Sequence, residues 1–266
     1  MTYMIRPKIE YYDLDKIIAE APMKKGKNIL EKKVKEEDLG EESKTLQKSR
    51  IINFDKFWTI EGVNYNNKIG VYELSKELIP SATHDELAAL SKESKEKGGF
   101  YCPDARLFYS ILSAVKDSGN TDVRDFIQEK LRKNWLNTLT RIKHFPRKKD
   151  EVIHNYKMSD EYSVKGDIVG KDGQIKDVSP KSYLELLLGE KDAGKINNVF
   201  QFINKTDCYI WRLNSKPNKL DERVAWFNAG SDRANLNCDG YSSNRNSSLG
   251  VRAVGTNKVL LAGEIK

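Results

Sequence analysis

Cysteine, histidine and proline are scarce in this chain of 266 residues: three Cys, three His and seven Pro. Cys102, Cys208 and Cys238 are odd in number and widely spaced, which excludes a disulfide framework and a Cys-rich zinc site. His144 and His154 flank a turn and could approach each other, but two lone imidazoles are a weak case for catalysis. No apolar run is long enough to span a bilayer, so no membrane insertion is expected. Met1 to Glu20 lacks an apolar block followed by small residues, so no secretory signal is expected and a cytoplasmic protein is. Phosphate-loop, dinucleotide, zinc-protease and nucleophile-elbow signatures are missing. No acidic cluster has calcium-ligand spacing. The sequence therefore implies no enzyme, no cofactor and no metal.

What is present is a globular composition with a basic balance. Twelve Tyr, nine Phe and four Trp are more than a disordered chain carries. The net charge is +7, with Lys supplying 34 of the 46 cations. A nucleic-acid groove would interleave Arg with aromatics in one stretch; none does so here, so the excess reads as solvated lysine faces. Residues 1–50 hold 22 charged residues and few large apolar ones, which marks a charged N-terminal extension. Residues 51–266 form the globular domain.

Within the domain, Phe57–Ile60 and Lys68–Tyr72 read as strands around the turn-prone Asn66-Asn67. Two helices follow, over 104–118 and 121–135. Leu107, Phe108, Ile111, Leu112 and Val115 make the apolar stripe of the first; Val123, Phe126, Ile127 and Leu131 make that of the second. Leu139–His144 with Glu151–Tyr156 reads as a hairpin, and Tyr162–Val169 with Gln174–Val178 as another, turning at Lys171-Asp172-Gly173. Ser179-Pro180 opens a short helix, Lys181–Leu188, ended by Gly189. Strands are expected over Val199–Ile203, Cys208–Leu213, Arg223–Phe227, Gly250–Val254 and Val259–Ile265. Helices followed by many short, mostly antiparallel strands give an α+β fold.

One segment stands apart. Residues 228–247 read N-A-G-S-D-R-A-N-L-N-C-D-G-Y-S-S-N-R-N-S, with five Asn and four Ser, between the apolar flanks Val224–Phe227 and Leu249–Val254. From Phe227 to Asn257 there is no Lys, Glu, Gln, Met or Trp, in a chain otherwise rich in Lys and Glu. Replacing both adenines of the Asn codon AAC by any base yields a set of amino acids that lacks those five types and contains every type in 228–247. Period-2 alternation puts Asn235, Asn237 and Asp239 on one side and Leu236 and Cys238 on the other.

The run W-F-N-A-G-S-D-R-A-N-L-N-C, then Asn/Ser-rich residues, then L-G-V-R-A-V, resembles the variable region of diversity-generating retroelement variable proteins. The match spans roughly 223–254. The resemblance implies a C-type-lectin-like fold over 51–266 and adenine-directed variation of 228–247 by an error-prone reverse transcriptase. Trp226 and Leu249–Arg252 match the invariable frame. The implied function is display of a ligand-binding surface for a protein or glycan. The expected contact residues are Asn228, Ser231, Asp232, Arg233, Asn235, Asn237, Asp239, Gly240, Tyr241, Ser243, Asn244, Arg245, Asn246 and Ser247. Tyr241 is the expected central anchor, Leu236 and Cys238 would pin the middle, and Trp226, Val251 and Val254 would anchor the core. The lysine-rich composition resembles archaeal or viral members, and for the latter the alternative location is the virion surface. Two rival functions are an enzyme of the formylglycine-generating type, which would need Cys208 and Cys238 as a pair, and a basic nucleic-acid binder.

Overall fold

The computed structural model describes residues 49–179 and 181–254. Residues 1–48 of the charged extension, Pro180 and the strand expected over Val259–Ile265 lie outside them. The first strands are Ile51–Asn53 (β1), Phe57–Tyr65 (β2) and Lys68–Ala82 (β3). Asn66 and Asn67 both take positive φ, 50° and 61°, which is the backbone a two-residue hairpin needs and which Asn tolerates. β3 runs ten residues past the expected Tyr72 because its distal part pairs with the segment Asn246–Val254 rather than with β2.

The helix His84–Glu96 (α1) is an addition to the expected pair. Thr83 and Glu86 close a reciprocal capping box at its start. Ala105–Ser118 (α2) is capped by the Asp104 carboxylate and ended by left-handed Gly119, and Thr121–Lys133 (α3) is capped by Asn120. Both carry the predicted stripes inward, with Phe126 half-buried against the core.

Leu136–His144 (β4) and Asp150–His154 (β5) form the expected antiparallel hairpin. Tyr162–Gly166 (β6) pairs with β5 instead of turning back into the next strand, so the second expected hairpin is corrected. The short Gly173–Gln174 (β7) pairs with Cys208–Trp211 (β8). The cause is Arg212, which is buried and stacked over Tyr183. Its guanidinium donates to the Lys171 and Ile168 carbonyls, and its backbone N–H to Asp172 at 2.7 Å, so the 168–172 segment wraps around it.

Ser182–Leu188 (α4) ends at Gly189 as expected. Val199–Ile203 is not a strand. It is the second half of the helix Ala193–Asn204 (α5), capped by Asp192, whose buried residues Ile196, Val199, Phe200 and Ile203 recur at helical spacing. The described residues end with Asp221–Ala229 (β9), Ala234–Gly240 (β10) and Asn246–Val254 (β11).

The strand order is β1-β2-β3-β11-β4-β9-β10-β8-β7, with β5 and β6 branching from β4. Neighbours are antiparallel except β10 with β8 and the single bridge from β11 to β4. Helices α2 to α5 pack into the main core on one side, while α1 packs Leu87 and Ala88 with Leu139 of β4 in a separate smaller cluster. Phe227 of β9 stacks on Phe108 of α2 (centroids 4.4 Å apart, 8° between planes) and lies 6.1 Å from Phe200 of α5. The fold is α+β with a large, mostly antiparallel sheet. Among the described residues no helix is long and apolar enough to cross a membrane.

Candidate ligand-binding face

Successive residues of a strand point to opposite sides, and cross-strand partners share a side. Segment 228–247 covers the end of β9, all of β10 and the start of β11, so it meets both sides of the sheet. On the helix side, Ala225, Phe227, Leu236 and Cys238 are fully buried in the core, so Leu236 and Cys238 do hold the middle of the segment. On the other side, Trp226 is paired in register with Asn137 and Asn237, and Asn237 with Trp211. Beside that row, Asn228 is paired with Asn235, and Asn235 with Tyr209.

Side-chain bonds knit this outer face. The Trp211 indole N–H donates to Asn235 Oδ1 at 3.1 Å, the Asn237 amide to Asn228 Oδ1 at 3.2 Å, and the Asn246 amide to Asn137 Oδ1 at 3.3 Å. Trp135 leans on Trp226 with centroids 4.2 Å apart, and Tyr209 on Trp211 at 4.9 Å. Arg233 lies over Tyr209 and Trp211.

The expected contact residues divide into three groups. Ser231, Asp232, Tyr241, Ser243 and Arg245 are exposed. Asn228, Arg233, Asp239, Asn244, Asn246 and Ser247 are half-buried. Asn235, Asn237 and Gly240 are buried, which corrects their expected exposure. The two asparagines lie on the outer face as alternation predicts, but Trp211, Tyr209 and Asn228 cover them. Gly240 is buried because the Trp226 indole packs on its backbone.

Tyr241 is also corrected as the central anchor. It is 57% exposed but follows the end of β10, away from the asparagine pairs. It lies on Arg223, 4.1 Å from guanidinium to ring, and Arg223 is held by Asp221 and the Asp239 carbonyl. Burial raises the Asp239 carboxyl above its usual range. Beyond Tyr241 the chain docks on α1: His84 N–H donates to the Ser242 carbonyl at 3.0 Å, and Arg245 pairs with Glu86 at 2.6 Å. Trp226 is buried, but on the outer face rather than in the helix-side core, whereas Val251 is core and Val254 only half-buried.

Four members of the face, Trp135, Asn137, Tyr209 and Trp211, lie outside the 223–254 match. The alternation of Tyr209 and Trp211 with Cys208 and Ile210 was the available signal; nothing local tied them to β10.

The remaining chemistry is structural in its geometry. His144 and His154 do not meet: His144 lies 3.3 Å from buried Asp150, and His154 hydrogen-bonds Thr140 and the Leu186 carbonyl. The three thiols are free and buried, and burial raises each above its ordinary range. Among the described residues no group of three or more His, Cys, Asp or Glu is placed to hold a metal ion.

Comparison with protein-family models, curated proteins and solved structures finds no match to this chain.

Proposed function

We propose that this protein displays a diversifiable ligand-binding surface on a C-type-lectin-like domain, as retroelement variable proteins do. The observation that carries the reading is the separation of roles along 227–245. Phe227, Leu236 and Cys238 supply the core from one side of the sheet, while Ser231, Asp232, Tyr241, Ser243 and Arg245, at and beyond the strand ends, are exposed. A surface that tolerates replacement needs its backbone held by residues that stay constant, and Ala225, Phe227, Cys208 and Ile210, all buried outside 228–247, hold the strands beside it. The strand order supports the fold reading: β11, the last of the described strands, pairs antiparallel with early β3 and bridges to β4, with three helices between β3 and β4 in the chain. Asn, Ser, Tyr and Arg at the edges supply adaptable hydrogen bonding and aromatic contact area of the paratope kind.

The test is a library varied at Asn228, Ser231, Asp232, Arg233, Tyr241, Ser243, Asn244 and Arg245. Most members are expected to fold with wild-type circular dichroism, and selection on different ligands is expected to enrich different sequences. A library in which most members unfold, or in which selection never depends on these positions, overturns the reading.

A further inference from the structure

The outer face has chemistry that the diversified segment does not itself supply. Read across the strands, one row is Asn137, Trp226, Asn237 and Trp211, and the next includes Asn228, Asn235 and Tyr209. Amides occupy the middle and rings the two sides, Trp135 with Trp226 at one and Tyr209 with Trp211 at the other. Strands lie about 4.8 Å apart, so the backbones carrying Trp226 and Trp211 are separated by roughly 10 Å, with an amide strip between. Neither row contains a carboxylate. Arg233 at the edge is already stacked over two rings, 5.1 Å from Tyr209 and 5.5 Å from Trp211.

This pattern discriminates among ligand classes. A protein–protein interface has an apolar centre and a polar rim, and here the centre is amide and the rim aromatic. A single-stranded nucleic acid needs a cationic groove beside its stacking rings, and this face offers one guanidinium. An uncharged chain of hydroxyl-bearing rings fits both parts, its C–H faces on the aromatics and its hydroxyls on the amides. Each Asn amide has two donors and an acceptor, and the bonds within the face leave part of that capacity unused. Asn137 Nδ2 and the Trp226 indole N–H, neighbours in register, are buried and have no hydrogen-bond partner within the protein.

We infer that this face binds an uncharged glycan chain. Trp135, Tyr209 and Trp211 stack against its rings, and the half-buried Asn228 at the edge of the amide strip bonds its hydroxyls. The inference rests on the display reading and adds one consequence. The three rings lie outside 228–247, so siblings differing in that segment share a ligand class and differ in which member of it they bind.

The test uses the full chain against an array of neutral, sialylated and sulfated oligosaccharides, followed by tryptophan-fluorescence titration of neutral hits. Neutral oligosaccharides are expected to bind, to shift tryptophan emission and to keep their affinity at about 1 M NaCl, where ionic contacts are screened. Trp211→Ala and Trp135→Ala, each checked for wild-type circular dichroism, are expected to weaken binding by about tenfold or more, as truncated aromatic anchors do. Binding of no neutral oligosaccharide, binding of anionic ones alone with loss in salt, or unchanged affinity in both folded ring variants overturns the inference. Siblings separate the two readings. If they all bind the same neutral oligosaccharides and the ring variants lose them, the glycan site stands and display falls. If they bind different proteins irrespective of the rings, display stands and the glycan site falls.

Discussion

Trp226 lies so close on the backbone of Gly240 that a Cβ at position 240 would stand 2.5 Å from its Nε1, 2.8 Å from its Cδ1 and 3.1 Å from Val224 Cγ2. Position 240 thus belongs to the frame, although it lies inside the Asn- and Ser-rich segment. Gly240→Ala is expected to push the indole off its seat and to destabilise the domain by about 1–3 kcal/mol, the usual cost of overpacking. Urea melts would measure the loss, and a shift in tryptophan emission would report the displaced ring. An unchanged melt with unchanged emission would show that the seat is loose.

The two sides of β9 are expected to answer differently to truncation. Phe227→Ala removes a fully buried ring stacked on Phe108 and should cost about 3–5 kcal/mol. Trp226→Ala removes a ring outside the helix-side core that rests on half-exposed Trp135, and should cost less. Tyr241→Ala, at an exposed ring, should stay within about 0.5 kcal/mol. The ranking Phe227, then Trp226, then Tyr241 is read from three urea melts, and equal losses would contradict the separation of core from display.

Acid is expected to weaken the fold through His84. The ring is fully buried; its Nε2–H donates to the Thr138 carbonyl at 3.0 Å, and its Nδ1 accepts from the Arg141 guanidinium at 3.1 Å. Burial first, and the Arg141 charge second, lower its pKa from 6.5 to about 3. Between those values the unfolded chain takes up a proton that the folded one refuses. Stability is therefore full above about pH 6.5 and falls as pH drops toward 3, by up to about 1.4 kcal/mol per unit. Buried His154, also lowered, acts in the same direction. His84→Gln keeps a donor and an acceptor but cannot titrate, so the slope of unfolding free energy between pH 6 and 4 should shrink by about one proton's worth. An unchanged slope would assign the acid sensitivity elsewhere.

Cys102, Cys208 and Cys238 are expected to be inert in the native protein. All three are fully buried, and burial holds each thiol protonated. A chromogenic disulfide reagent should find no fast-reacting thiol at neutral pH and three after denaturation. A rapid native thiol at Cys208 or Cys238 would revive the cysteine-dependent enzyme reading.

Local signals in the sequence determined the elements whose cause is local. The stripes of α2 and α3, the Asn66-Asn67 hairpin and the Gly189 stop were all legible, because each arises between residues a few positions apart. The capping box at Thr83 and Glu86 was equally local and marks α1. Val199–Ile203 read as a strand because a short apolar run has no distinguishing period until Asp192 and Ile196 are joined to it. Although a bulge between Asn237 and Gly240 breaks the period before Asp239, alternation along 235–238 correctly assigned each residue to a side of its strand. Whether that side is open to water was beyond it, since Asn235 and Asn237 are buried by Trp211 and Tyr209 arriving in parallel on β8 and by Asn228 on β9. The pairing of β3 with β11, the wrapping of 168–172 around Arg212 and the seating of Trp226 on Gly240 are tertiary decisions of the same kind. Periodicity specifies a direction relative to the residue's own backbone, whereas burial depends on which distant segment lies in that direction, and only the folded register brings the two together.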